Sequence, residues 1–347
     1  MGDEYGVVRV AAVQAAPVFL DREGSTEKAC RLIAEAGKSG ARVIGFPEGF
    51  IPAHPLWYHH HAATSTVSNK LSVALFKNSV EIPGPETDAL GAAARGANAY
   101  VVIGVCEKLL NTTGTMFNSQ LYFSPDGVLI RKHQKIMPTV GERLVHMGGY
   151  GDTFGAFPSQ FGPLSGLICG ENTNPLAIFA LIAEGTRIHV MSWPNHFPMS
   201  GDYLRHRVAV ASQAFAEISK AFVVSACGAV DERMIKMLQP TAEGEKFLRE
   251  PKNSGGSMIV DPMSRIIAGP MSGDEGILYA DCNIDLSIQQ KLRHDFAGHY
   301  NRPDIFQLHI NRAAPALYHV HNDRAAIAGE PPEVLPAPPA SLPSPTE

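Results

Sequence analysis

Paired cysteines are missing from the sequence. Cys30, Cys106, Cys169, Cys227 and Cys282 are scattered along 347 residues, with no C-x-x-C among them. That excludes a disulfide framework and the usual zinc-ribbon spacing, and fits free thiols in a reducing cytosol. Also missing is any apolar run near the roughly 18 residues of a membrane span. The net charge is −5 with acids and bases interspersed, so no basic patch is offered to nucleic acid or to a membrane surface. The N-terminal MGDEYG is acidic and leads straight into strand-like sequence, so no signal peptide is expected and the sequon at Asn111 should stay unglycosylated. No Walker loop, no G-x-G-x-x-G after a strand, no H-E-x-x-H and no internal repeat is present. Gly148–Gly151 is only a glycine-rich turn. The His59–His61 run does not suggest a metal, because three consecutive side chains point in different directions on a helix or a strand; with Trp57 and Tyr58 it is read as lining a pocket entrance. The expectation is a cytoplasmic globular protein with no metal, no cofactor, no nucleic-acid partner and no membrane partner.

What is present is an alternation of strand-like and helix-like segments, with 45% hydrophobic residues available for a core. Strands are predicted at Val7–Ala15, Arg42–Glu48, Ala99–Lys108, Asn118–Ser124, Val128–Lys135, Arg187–Pro194 and Ala221–Gly228. Another leads into Cys169. Helices are predicted at Ser25–Gly40, Lys70–Asn78, Glu86–Ala97, Pro175–Glu184 and Asp202–Ser219. The stretches SMIVDPMSRIIAGP and GILYADCNI read as hairpin-like strands. This pattern argues an α/β sandwich, with one domain over residues 5–310. Residues 311–347 form an extension that turns proline-rich at about 331 and is expected to be disordered or extended from there.

Three strand ends carry chemistry. Cys169 ends an apolar run and is followed by a turn and Pro175, a good first-turn residue, with Asn174 or Thr173 as cap. A helix start there would favour the thiolate, although a small buried cysteine closing a strand is the commoner occurrence. Glu48 follows VIGFP and is surrounded by Phe46, Pro47, Phe50, Ile51 and Pro52; apolar burial raises a carboxyl pKa and makes a usable general base. Lys135 ends another strand. Glu142 lies beyond Pro138 and Gly141, where a turn would bring its carboxylate back onto the lysine. Thiolate attack, proton transfer to a carboxylate and anion stabilisation by an ammonium make a coherent set.

The strings FPEGFIPAHP, KHQKIMPTVGERL and ICGENTNPL, with MSWPNHFP and HYNRPDIFQL, resemble the nitrilase superfamily, and specifically its nitrilase branch. The resemblance spans Val7 to Leu308 in the order Glu, Lys, Cys. It implies a four-layer αββα sandwich and hydrolysis of a carbon–nitrogen bond without metal or cofactor. Carried onto this chain, it makes Cys169 the nucleophile, Glu48 the general base, Lys135 the anion stabiliser and Glu142 a polarising partner. Substrate contacts are expected from Trp57, Thr139, Gly170, Asn172, Trp193 and His196. Glu171 is expected to shape the turn. Gly170 departs from the family, where many nitrilases carry tryptophan, and leaves substrate preference open. The implied partners are a small-molecule nitrile and further copies of the chain, as a dimer or a spiral built from dimers. An amidase or carbamoylase of the same superfamily is the runner-up activity, and a catalytically silent scaffold is the rival outside the enzymes.

Overall fold

Val7–Gln14 forms β1, buried from Val10 onward, as a strand covered on both faces must be. This is a computed structural model, and it describes residues 4–197, 203–314 and 316. Helix α1 (Arg22–Lys38) starts where the Asp21 carboxylate accepts the Gly24 N–H at 2.9 Å. β2 (Val43–Gly45), α2 (Thr66–Asn78), α3 (Pro85–Ala97), β3 (Tyr100–Lys108), β4 (Met116–Phe123) and β5 (Leu129–Gln134) follow. Next come β6 (Leu164–Ile168), α4 (Pro175–Ala183), β7 (Ile188–Trp193), α5 (Tyr203–Ser219) and β8 (Phe222–Cys227). The remainder is α6 (Glu232–Leu238), α7 (Ala242–Arg249), β9 (Met258–Val260), β10 (Ile266–Ala268), β11 (Gly276–Asn283) and α8 (Asp285–Lys291).

Two sheets result, ordered β11-β1-β2-β3-β4-β5 and β10-β9-β8-β7-β6. Alternation along β1 builds the layers. Val8, Val10 and Ala12 pack with Val190, Phe222 and Val224 of the second sheet. Ala11 and Val13 turn the other way, into a cluster with Ala29, Ile33 and Ala36 of α1 and Leu90 and Ala94 of α3. On the far side, Leu167, Met191 and Val223 meet Ile178 and Leu181 of α4 and Val208 and Phe215 of α5. Three apolar interfaces separate four layers: this is the αββα sandwich.

Some local expectations change. The β9 and β10 segments do pair as a hairpin, but β11 does not join them. It runs antiparallel to β1 over its whole length, Val7 opposite Asn283 and Gln14 opposite Gly276. The strand expected over Arg42–Glu48 is confined to Val43–Gly45, because the chain leaves the sheet to carry Glu48. Helices α6, α7 and α8 were not anticipated. By internal contacts the chain divides after Ala313, and every element above precedes that point. The proline-rich stretch from 331 lies outside the described residues. Among the described residues no helix is long and apolar enough to cross a membrane.

Candidate active site

The site is assembled where strands stop. Beyond β2 the chain crosses between the sheets: Phe46 N–H donates to Val102 O at 2.8 Å, and Glu48 N–H donates to Trp193 O at 3.1 Å. Gly104 in β3 permits this path, since a Cβ there would lie 2.8 Å from Glu48 Cα. Lys135 follows β5, its N–H donating to Asn118 O in β4 at 2.8 Å. Val140–Leu144 forms a 3-10 turn that folds Glu142 back, and the carboxylate accepts the Thr139 N–H at 2.9 Å.

These turns bring the three charges together. Lys135 Nζ donates to Glu48 Oε1 at 2.7 Å and to Glu142 Oε2 at 2.6 Å. Asn118, which the sequence reading missed, donates its amide to Glu48 Oε1 at 2.7 Å and to Glu142 Oε1 at 2.6 Å. The available signal was weak: a run of three polar residues, Asn118, Ser119 and Gln120, inside a strand bounded by Met116-Phe117 and Leu121-Tyr122-Phe123. Among the described residues Glu48 Oε2 is buried with no partner, the free lone pairs that a proton acceptor needs. His54, which the sequence reading grouped with the His59–His61 run, places Nδ1 3.7 Å from Glu48 Oε1.

Cys169 follows β6 with φ of +51°, a left-handed conformation that is costly for a side-chain-bearing residue and is found where a site over-determines it. It opens a 3-10 turn, Cys169–Thr173, whose carboxylate Glu171 acts as a clamp. Glu171 accepts the N–H of Ile168 at 3.0 Å and of Ile136 at 2.6 Å, and lies 3.0 Å from His133 Nε2. The residue before the cysteine and the residue after the lysine are thus tied to one carboxyl group. Helix α4 begins only at Pro175, with Asn174 Oδ1 capping Leu176 and Ala177.

The electrostatics correct one expectation. Burial, then the Glu48 and Glu142 carboxylates, push the Cys169 thiol well above its ordinary pKa, outweighing Lys135 and the Gly170 N–H. The resting group is therefore a thiol, and attack requires a base. Glu48 is suited to that task, with its pKa raised to about 7 by burial and by Glu142, against the lowering pull of Lys135 and Asn118. Burial acts on Glu142 in the same direction, but Lys135, His146 and His54 together outweigh it and hold this carboxyl well below the usual range. Burial opposes the Lys135 charge, yet the two carboxylates raise its pKa well above normal. Burial lowers His54 to about 3, so it stays neutral.

The six expected substrate contacts separate into two groups. Thr139 and Gly170 are partly exposed and face each other: a Cβ on Gly170 would sit 3.5 Å from Thr139 Oγ1, with nothing nearer. Gly170 is not in the left-handed region, so its backbone does not require glycine. The other four are enclosed. Trp57 is fully buried in a cluster with Phe19, Leu71 and Leu75. Trp193 packs in the α4–α5 core and contributes its carbonyl to Glu48. Asn172 spends its amide on Leu167 O and Cys169 O, at 3.2 and 2.9 Å, and its Oδ1 meets His189 Nε2 at 2.9 Å. His196 is buried, with Nε2 3.0 Å from His60 Nε2. All four side chains are buried, as those of Glu48 and Lys135 are, and Trp57 Nε1, Trp193 Nε1 and His196 Nδ1 have no hydrogen-bond partner among the described residues.

Glu48, His54 and Glu142 bring one potential metal-ligand atom each within 4.8 Å of one another. The Lys135 ammonium is bonded to both carboxylates and already supplies the positive charge at that point. All five cysteines are free.

The family model for carbon-nitrogen hydrolase matches residues 9–291. A protein described as Nitrilase 3, from an unknown prokaryotic organism, is 37% identical over 323 residues, covering 92% of this chain and 94% of that one. An aliphatic nitrilase of Sinorhizobium fredii is 36% identical, covering 87% and 95%. An arylacetonitrilase of Aspergillus kawachii is 31% identical, covering 93% and 97%. Among solved structures, a Saccharomyces cerevisiae member of branch 10 of the nitrilase superfamily superposes with a TM-score of 0.66 at 18% identity, covering 88% of this chain and all of that one. A carbon-nitrogen hydrolase from Helicobacter pylori gives a TM-score of 0.66 at 16% identity, covering 87% and 97%. At these identities the superpositions speak to the fold. With the family model spanning most of the sandwich and relatives above 30% identity along nearly the full length, the chain belongs to the carbon–nitrogen hydrolase family, the nitrilase superfamily.

Proposed function

We propose that this hydrolase is a nitrilase, converting a small organic nitrile to the carboxylic acid and ammonia with Cys169 as nucleophile. One observation supports it above the rest: a protonated thiol stands beside a buried carboxylate that has one unpartnered oxygen and a pKa near neutrality. Glu48 Oε2 takes the S–H proton as sulfur bonds to the nitrile carbon. One C≡N bonding pair moves to nitrogen, where Lys135 steadies the developing charge and a proton from Glu48 completes the thioimidate. Water then adds through Glu48, and the tetrahedral carbon carries sulfur, hydroxyl and amine. Collapse with protonation of nitrogen expels ammonia and leaves a thioester, which a second water converts to the acid and the free thiol. If the same intermediate expels sulfur instead, the product is the amide. Glu142 and Asn118 hold the lysine and the base in place throughout.

An amidase or carbamoylase would enter this scheme at the tetrahedral intermediate and use the same four residues. The names of the relatives above 30% identity favour the nitrile. Ammonia release from a panel of aliphatic, aromatic and arylaliphatic nitriles and their amides, run beside Cys169→Ala, tests the reading. Turnover of amides alone replaces it, and ammonia release that survives in Cys169→Ala removes the mechanism. We also infer a cytoplasmic homo-oligomer, a dimer or a spiral of dimers, on the superfamily resemblance; light scattering of the purified full chain tests the assembly.

A further inference from the structure

Behind Glu142 lies a second thiol and imidazole that the scheme above leaves unused. His146 follows the Val140–Leu144 turn, and its N–H donates to Glu142 O at 2.8 Å. Its backbone forms a bridge with Met116 at the start of β4, so the ring has a fixed base. Both ring nitrogens are engaged: Nδ1 is 3.3 Å from Glu142 Oε1, and Nε2 is 2.9 Å from Cys106 Sγ in β3. Cys106, Glu142 and His146 are all buried.

The chemistry of the partners fixes one proton. An ionised carboxylate only accepts, so the contact with Glu142 requires hydrogen on Nδ1. The sulfur serves Nε2 in either state, as acceptor of N–H or as donor of S–H. Glu142 thereby receives a fourth side-chain or backbone donor, beside Lys135, Asn118 and the Thr139 N–H. Its negative charge is one of the causes that raise both Glu48 and Cys169. Whatever compensates Glu142 therefore lowers the proton affinity of base and nucleophile together.

Taking Cys169 as the nucleophile, as in the reading above, we propose that the Cys106–His146 pair is a positioning device for the reaction: it keeps the Nδ1 hydrogen on Glu142, holds that carboxylate ionised and in register with Lys135, and limits how much of its field reaches Glu48 and Cys169. The titratable groups facing His146 are Cys106 from β3, Glu142 from its own turn, and His54 from the loop that follows β2. Their balance agrees: burial pulls the imidazole pKa down, but Cys106 and Glu142 outweigh it and carry the value to about 10. Because a nitrogen donor is what matters at Nδ1, asparagine at 146 preserves part of the function and phenylalanine preserves none.

The test reads Cys169 itself and needs no substrate. The rate of iodoacetamide labelling at Cys169 is followed by peptide mass spectrometry across roughly pH 5 to 9 in the full-length protein. Labelling in this window reports removal of the thiol proton by Glu48, with a midpoint near 7 in wild type; in His146→Phe that midpoint moves to higher pH by about one unit, and labelling at pH 7 slows about fivefold. His146→Asn falls between that variant and wild type. Cys106→Ala moves the midpoint in the same direction by less, and Cys106→Ser, which keeps a polar partner for Nε2, restores it. A slower rate with an unmoved midpoint in His146→Phe means a merely structural role and overturns the proposal. If His146→Phe does not fold, the Cys106 variants decide alone: equal midpoints in Cys106→Ala and wild type overturn it. Failure to turn over any nitrile defeats the nitrilase reading and leaves this measurement intact.

Discussion

Removing the charge of Lys135 puts the heaviest load on the site as described. The three side chains Lys135, Glu48 and Glu142 are buried, and a single ammonium bonds to both carboxylates. Lys135→Gln leaves two acids facing each other across the Asn118 amide. Breaking a buried pair by deleting one partner costs about 3–5 kcal/mol. With unfolding entropy of about 2.1 cal/mol/K per residue over roughly 300 ordered residues, that is a melting point lower by about 5–8 °C. The deficit must depend on pH. In the variant both carboxyls have folded pKa values raised above the unfolded value of about 4.3, so protonation stabilises the fold at low pH, and that stabilisation is lost as pH rises through the folded values. The melting-point gap to wild type is therefore largest near pH 8 and narrows towards pH 5. Adding Glu142→Gln to Lys135→Gln removes one stranded acid and recovers about half of the gap. It recovers no turnover, because the donor for the developing anion is still missing, a loss of about 3–4 kcal/mol, or 10²- to 10³-fold. Thermal melts followed by circular dichroism at three pH values, with ammonia release alongside, make the measurement. A Lys135→Gln protein that melts with wild type at pH 8, or whose gap is the same at pH 5, refutes the reasoning.

Three further outcomes are expected. The base limb belongs to Glu48, so kcat/KM should rise with pH through about 7 and fall tenfold per unit below it; a flat profile between roughly pH 5 and 8 removes Glu48 from the role. Gly170→Ala should stay within about threefold of wild type on all nitriles, since its backbone tolerates a Cβ, while Gly170→Trp should cut turnover of bulky nitriles about tenfold more than that of small ones. Equal losses in both variants across the panel would show that the backbone, not the space beside Thr139, sets the requirement. Glu171→Gln keeps one acceptor oxygen and puts its NH2 against the other of the Ile136 and Ile168 N–H groups, and should reduce kcat by about 10²-fold with little change in KM; an unchanged kcat would mean that the clamp on the two loops is dispensable.

The fold was legible wherever burial left a local trace. β1 reads as a strand because Val, Ala and Val alternate between two apolar environments, and α1 as a helix because of the amphipathic spacing that ends at Gly40, although the helix starts at Arg22, three residues before the expected Ser25. The pairing of β11 with β1 left no such trace, since nothing within GILYADCNI names its partner. Helices α6 and α7 were missed although Asp231 and Thr241 cap them, because a seven- or eight-residue helix shows barely two turns of period. In the site, Glu48, Lys135 and Cys169 stood out as polar residues where apolar runs end. Asn118, His54 and His146 did not, because their importance comes from what lies across the gap. The partners of the expected substrate contacts were not legible either: Trp57 packs with Phe19 and Leu75, and Asn172 donates to the nucleophile's own carbonyl.

The antiparallel match of β1 with β11 sets a timetable for synthesis. The first strand leaves the ribosome early, but the strand that covers its outer edge is translated roughly 270 residues later, which at about 5–20 residues per second is a wait on the order of 15–50 s. Over that interval the edge of β1 holds unsatisfied backbone groups and invites pairing with the wrong chain. A nascent chain released before Gly276 has every residue of the Glu–Lys–Cys set and still lacks the strand that closes its six-stranded sheet. Such fragments should be found with chaperones or in aggregates, and the enzyme should gain solubility when translation of its last third is not slowed.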